Sequence, residues 1–210
     1  MERVTCFFPK SWPSGEVTNG GLSWFGPKEA CPPLEETGFI VQGRFDLLED
    51  LHQRLIHLGV RLGVVESCTG GLLGSLFTSL AGSSAYFEGG WLTYSNQAKV
   101  QLVGVSEPTL NACGAVSLET SEEMAQGGLE RLNLSHCLSI TGIAGPGGGS
   151  IEKPVGMVCF ALALREGGRS EVLAETQHFL GNRSEIRLKS AYYALYLLHR
   201  ELDKYTEHKE

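Results

Sequence analysis

A short β-branched run, Val60-Arg61-Leu62-Gly63-Val64-Val65, ends at Glu66-Ser67-Cys68-Thr69-Gly70-Gly71. It is followed at once by residues 72–80, whose leucines and Phe77 recur at helical spacing. A hydroxyl and two glycines therefore sit where a strand ends and a helix begins. A helix start carries free N–H groups and a partial positive charge, which suit an anion, an oxyanion or an activated nucleophile.

The same alternation continues along the chain. Leu48, Leu51, Leu55 and Leu58 predict a helix from about Arg44, closed by Gly59. Strand-like segments follow at 60–66 and 85–94, and helices at about 70–80 and 95–103. Ser117 is the expected N-cap of a helix running to about Leu132, with acids in its first turn. A buried strand is expected over 136–141. A strand pair over 155–164 and 171–179 joins at Glu166-Gly167-Gly168, and a long helix covers 184–202. Alternating elements predict a single layered α/β domain, a central sheet with helices on both faces. The expected boundaries are an irregular N-terminal extension over 1–43, the domain over 44–204 and a polar tail over 205–210. The extension holds five of the eight prolines and scattered aromatics with no sustained period.

Composition narrows the function classes. Hydrophobic residues make up 42% and charged residues 20% of the 210, which suffices for a packed core. The net charge of −7 and the absence of any Lys/Arg run argue against a nucleic-acid partner. No apolar stretch reaches membrane-spanning length, and the first thirteen residues lack the apolar core of a signal peptide. The six cysteines form no CxxC pair, so the expected setting is a reducing cytoplasm. The six histidines form no ligand-spaced pair, so no metal is expected. The 27 glycines cluster at 70–71, 89–90, 127–128, 142–149 and 167–168, a pattern that predicts loops with backbone work to do.

Four constellations carry possible chemistry. Ser67 and Thr69 lie at the first junction, with the Gly70 and Gly71 amides placed to hold an oxyanion. Alone, such hydroxyls would be ordinary helix caps. Tyr94-Ser95-Asn96-Gln97-Ala98-Lys99 puts Lys99 one turn into a helix, within reach of a strand end. A lysine desolvated there can lose its proton and serve as a base, although most lysines are simply solvated. The run from Thr141 and Gly142 to Gly149 follows a buried strand and can form an anion nest or a plain crossover. Arg183, at the start of the last helix, opposes the helix dipole and suits an anionic ligand; Arg187, one turn on, is expected at the surface or in an ion pair.

Taken in order, ESCTGG, GSSAYF, YSNQAK, GAVS, TGIAGPGGGSIEKPVG and GNRSEIR resemble the C-terminal domain of the CinA competence/damage-inducible proteins, over roughly residues 45–202. That family includes stand-alone nicotinamide-nucleotide amidohydrolases (PncC-type). Asn182 and Ala81 stand where the family often has Asp and Pro, and residues 1–43 match no recognised part of it. The resemblance implies hydrolysis of nicotinamide mononucleotide to nicotinate mononucleotide and ammonia, feeding NAD salvage without a cofactor. It implies Ser67 as nucleophile, a Tyr94–Lys99 pair, and Thr141 and Arg183 facing the substrate. Lys99, directly or through Tyr94, would take the serine proton. The expected partners are a small-molecule nucleotide substrate and further copies of the chain in a homo-oligomer, with neither nucleic acid nor membrane. The competing readings are a serine amidohydrolase of another nucleotide-like amide and a nucleotide-binding module without turnover.

Overall fold

The structure, a computed structural model, describes residues 47–207. The expected irregular extension over 1–43 lies outside the described residues. The chain divides between Leu51 and His52, and every element from the first strand onward lies in the unit that begins at His52.

Helix α1 covers Leu47–His57, and Gly59 follows it with φ 62, the left-handed conformation that ends a helix without a Cβ penalty. Its buried positions are Leu47, Leu51, His52 and Leu55; Leu48 and Leu58, placed on the same stripe by spacing, are only half-buried. Strand β1, Leu62–Glu66, is buried along its whole length. Helix α2 covers only Leu72–Phe77, shorter than the predicted 70–80. Gly70 and Gly71 have φ of 63 and 93 and delay its start, and at its far end Thr78 Oγ1 and Ser79 Oγ donate to the Gly74 and Leu76 carbonyls (2.9 and 2.7 Å). A 3₁₀ turn, Ser83–Ala85, leads into β2, Phe87–Leu92. Helix α3, Asn96–Val103, starts at Ser95, whose Oγ accepts from the Ala98 amide at 3.0 Å.

Sequence spacing missed helix α4, Glu107–Cys113. Its signal was local: Ser106 caps the Thr109 amide at 3.1 Å and Pro108 stands in the first turn. Helix α5, Leu118–Arg131, is capped by Ser117 as expected. Strand β3, His136–Gly142, precedes the glycine loop. Strands β4, Met157–Glu166, and β5, Arg169–His178, turn on Gly167 and Gly168, with φ of 55 and 80, the conformation a tight hairpin requires. Helix α6, Arg183–Glu207, continues past Leu202, so residues 205–207 of the expected tail belong to it.

The sheet is mixed, in the order β2-β1-β3-β4-β5. β1 runs parallel to β2 and β3, whereas β4 is antiparallel to both neighbours. Alternate β-residues face opposite layers. On one face Val65, Cys137, Ala161 and Ala163 pack with Met124, Ala125 and Leu129 of α5. On the other, Phe160 meets Tyr193 of α6 at 4.8 Å between ring centroids. Full burial of Met124 or Leu129 contributes about 1.5–3 kcal/mol each.

Two of the glycine clusters are corrected here: they are not loops. Gly89 and Gly90 lie within β2, and Gly127 and Gly128 within α5. A Cβ on Gly127 would run into the Val103 carbonyl, and one on Gly128 would come within 2.6 Å of Cys137 Sγ and 2.7 Å of Val65 Cγ2. These glycines let α5 lie close on α3 and the sheet.

From β1 the chain crosses to β2 on one side, and from β3, the other neighbour of β1, it goes on to β4 on the opposite side, so the connections leaving β1 and β3 diverge. A crevice opens at the carboxyl ends of β1, β2 and β3, the usual ligand position in such sheets. Glu66, Leu92 and Gly142 mark its rim.

Candidate active site

Ser67 is the first residue beyond β1. Its amide still donates to the Ile140 carbonyl of β3 at 2.9 Å, which anchors the backbone as the chain turns. The Gly70 amide closes that turn on the Ser67 carbonyl at 3.2 Å. The hydroxyl of Ser67 accepts a hydrogen bond from Lys99 Nζ at 3.1 Å. Lys99 also donates to the Thr93 carbonyl at 2.7 Å and is only 1% exposed. No carboxylate pairs with it among the described residues. Burial therefore lowers its pKa from 10.5 to about 8. An amine that loses its proton near pH 8 rather than 10.5 has an appreciable neutral fraction just above neutral pH, and in contact with a serine hydroxyl that neutral form can take its proton.

The neighbouring thiol is disposed in the opposite way. Burial raises the Cys68 pKa to about 12, so it is a thiol rather than a thiolate at physiological pH.

Ser67, Cys68, Lys99, Thr141, Gly142, Tyr94 and Arg183 line one cavity of about 170 Å³, together with Ala115, Val116 and Ala144. Thr141 Oγ1 donates to the Ala115 carbonyl at 2.7 Å and so fixes the facing wall. A Cβ on Gly142 would meet the Met157 carbonyl at 2.9 Å, so packing against β4 accounts for that glycine. Arg183 stands at the mouth. Its Nη1 donates to the Gly145 carbonyl at 2.8 Å and its Nη2 to the Tyr94 hydroxyl at 3.1 Å. Tyr94 is 66% exposed, and its hydroxyl bonds to Arg183 rather than to Ser67 or Lys99. The Lys99–Ser67 contact needs no tyrosine relay.

Three sequence-predicted residues take other positions. Thr69, Gly70 and Gly71 are not part of the cavity wall. The oxyanion role expected of the two glycine amides is corrected: Gly70 donates to the Ser67 carbonyl and Gly71 to Glu66 Oε2 at 2.9 Å, so neither is free. The Thr69 side chain is fully buried, and its carbonyl accepts from Arg187 Nε and Nη2 at 3.2 and 2.6 Å. Arg187, expected at the surface or in an ion pair, instead clamps this turn through a backbone carbonyl. Its helical position gave no hint of the contact, because the carbonyl it holds is 118 positions away. A wider cleft of about 730 Å³ runs along α5 past Glu122, Glu123 and Val172, but holds no nucleophile paired with a base.

The sequence profile of the CinA C-terminal domain matches residues 45–202. The chain belongs to the CinA C-terminal domain family. The CinA-like protein of Mycolicibacterium gilvum is 48% identical over 202 residues, covering 96% of this chain and 44% of its own length. That match reaches well into residues 1–43, so the extension, unmatched on motifs, has a counterpart in this relative. The CinA-like protein of Shewanella baltica (strain OS155) is 42% identical over 166 residues, 79% of this chain and 38% of the relative. The chain thus spans less than half the length of these curated relatives. Among solved structures, the competence/damage-inducible protein CihA from Agrobacterium tumefaciens is 42% identical with a TM-score of 0.69, covering 77% of this chain and 99% of that one. A CinA superfamily protein from Klebsiella pneumoniae 700603 gives 31% and 0.71, covering 75% and 96%. Asn182, a departure within this CinA domain, caps α6: its Oδ1 accepts from the Ser184 and Glu185 amides at 2.9 and 3.1 Å, a role Asp fills equally.

Proposed function

We propose that this CinA domain is an amidohydrolase that converts nicotinamide mononucleotide to nicotinate mononucleotide and ammonia. The observation that carries the reading is the 3.1 Å contact between buried Lys99 and Ser67 at the floor of a small cavity with an arginine at its mouth. At about 170 Å³ the cavity is smaller than the roughly 300–1,000 Å³ of pockets that bury a whole drug-sized ligand. Only a ring and its carboxamide enter, and the ribose phosphate lies outside, toward Arg183.

Neutral Lys99 takes the Ser67 proton as Oγ attacks the carboxamide carbon. The amide of Cys68, the residue after the nucleophile, holds the developing oxyanion. The carbon–nitrogen bond breaks, and Lys99 returns the proton to the departing nitrogen, which leaves as ammonia. Water then attacks the acyl ester, again giving its proton to Lys99, and Ser67 is restored as the acid departs. One water is consumed for each ammonia released. The setting is a reducing cytoplasm. Two observations support it: Cys68, Cys113, Cys137 and Cys159 are all unpaired, and no helix among the described residues is long and apolar enough to cross a membrane.

The test is ammonia release from nicotinamide mononucleotide, beside a panel of other nucleotide-like amides. Wild type is expected to turn over the mononucleotide best, and Ser67→Ala to lose at least about 10⁴-fold in kcat. Tight binding without ammonia would favour a binding module, and a better substrate in the panel would reassign the amide.

A further inference from the structure

Of the buried titratable groups to which the mechanism gives no task, Glu66 lies next to the nucleophile. Glu66 is 1% exposed and pairs with no cation among the described residues. Backbone amides satisfy its carboxylate: Oε2 accepts from Gly71 and Leu73 at 2.9 and 3.1 Å, and Oε1 from Gly74 at 2.8 Å. The side chain folds across the turn that carries Ser67 and ties that turn to the first residues of α2. The main chain of Glu66 faces the other way. Its carbonyl accepts from the Thr93 amide at 2.7 Å and from Thr93 Oγ1 at 3.4 Å. The Thr93 carbonyl in turn accepts from Lys99 Nζ at 2.7 Å.

We propose that Glu66 is a positioning residue that sets the separation of Ser67 and Lys99, holding the serine turn with its carboxylate and the lysine's carbonyl partner with its main chain. The proposal rests on Lys99 activating Ser67. A carboxylate is needed because three donors converge on two oxygens, and an amide in the same place would turn a donor toward at least one of them. Buried amides left without an acceptor would move, and misplacing a nucleophile by about an ångström costs roughly a hundredfold in rate.

The experiment measures phosphonylation of Ser67 by a fluorophosphonate, a reaction independent of the natural substrate. The Ser67 oxygen–phosphorus bond forms, fluoride leaves and the serine proton passes to Lys99. Wild type is expected to label at Ser67 with a rate rising through about pH 8. Folded Glu66→Gln is expected to label roughly a hundredfold more slowly, on the same pH limb and with unchanged affinity for nicotinate mononucleotide. A folded Glu66→Gln that labels at the wild-type rate overturns the proposal. So does slow labelling that comes with a displaced limb or with lost nucleotide affinity. A role confined to stability would lower Tm and leave the labelling rate of folded protein alone. If Glu66→Gln does not fold, Glu66→Asp keeps the charge but shortens the reach, and wild-type labelling in that variant overturns the proposal equally. Wild type that labels yet releases no ammonia from nicotinamide mononucleotide refutes the substrate assignment and leaves Glu66 standing. Wild type that does not label at Ser67 refutes the nucleophile and this proposal together.

Discussion

Lys99 Nζ donates to Ser67 Oγ across 3.1 Å, although the two residues lie 32 positions apart and on different elements. Lys99 is carried by α3, Ser67 by the turn after β1, and the parallel pairing of β1 with β2 brings them together. Because the amine is buried without a carboxylate, its proton is held weakly.

The first prediction concerns pH. Turnover should rise with a single proton dependence through about pH 8 and then level, as Lys99 loses its proton. The profile of kcat/KM from pH 6 to about 10 checks this. A limb near 6.5, the range of a histidine, would assign the base elsewhere.

Stability should move the other way from activity when this lysine is removed. Below about pH 8 Lys99 is charged in both the folded and the unfolded chain, and the folded state carries the full cost of burying the charge. Between about 8 and 10.5 only the unfolded chain is charged, so stability climbs, and above 10.5 the cost is gone. A shift of this size corresponds to about 3 kcal/mol, partly offset by the hydrogen bonds to Ser67 and Thr93. Lys99→Met should therefore be inactive yet more stable than wild type at pH 7 by about 1–3 kcal/mol. Urea unfolding at pH 7 and at pH 10 should show that difference shrinking.

Arg183 and Tyr94 should separate binding from chemistry. Arg183→Met is expected to raise KM by about tenfold or more, the loss of a charge-assisted contact, with kcat little changed. Tyr94→Phe removes the hydroxyl that accepts from Arg183 and should raise KM by only about threefold. If Tyr94→Phe instead lowers kcat by about a hundredfold, the tyrosine relays the proton after all.

The Cys68 thiol adjoins the nucleophile without sharing its work, which falls to the residue's backbone amide. With its thiol pushed up to about 12, it should resist iodoacetamide near pH 7.5. Cys68→Ala should retain turnover within about threefold, since only packing is altered. Mass spectrometry of the alkylated protein and steady-state rates provide the two readouts.

Gly127→Ala should cost about 1–3 kcal/mol, despite alanine's better helix propensity, because its methyl would meet the Val103 carbonyl at the α3–α5 contact. Thermal unfolding checks the sign: a higher Tm would mean that propensity outweighs the close approach.

The distribution of these effects reflects what linear order encodes. Caps, turns and periodicity act over a few residues, so Ser95 and Ser117 starting α3 and α5, and Gly167-Gly168 closing the β4–β5 hairpin, were legible from spacing alone. Motif order carried the family, and with it the choice of Ser67 and Lys99. Three features depended on residues distant in sequence. Glycines 127–128 look like a loop until α3 and the sheet press on them. Arg187 looks like a surface cation until α6 lays it on the Thr69 carbonyl. Of the helix-start amides, an apparent oxyanion site, that of Gly70 is taken by the Ser67 carbonyl and those of Gly71, Leu73 and Gly74 by the buried Glu66 carboxylate. Local sequence specifies which backbone groups need partners; which groups meet them is decided only when the strands pair and the helices pack.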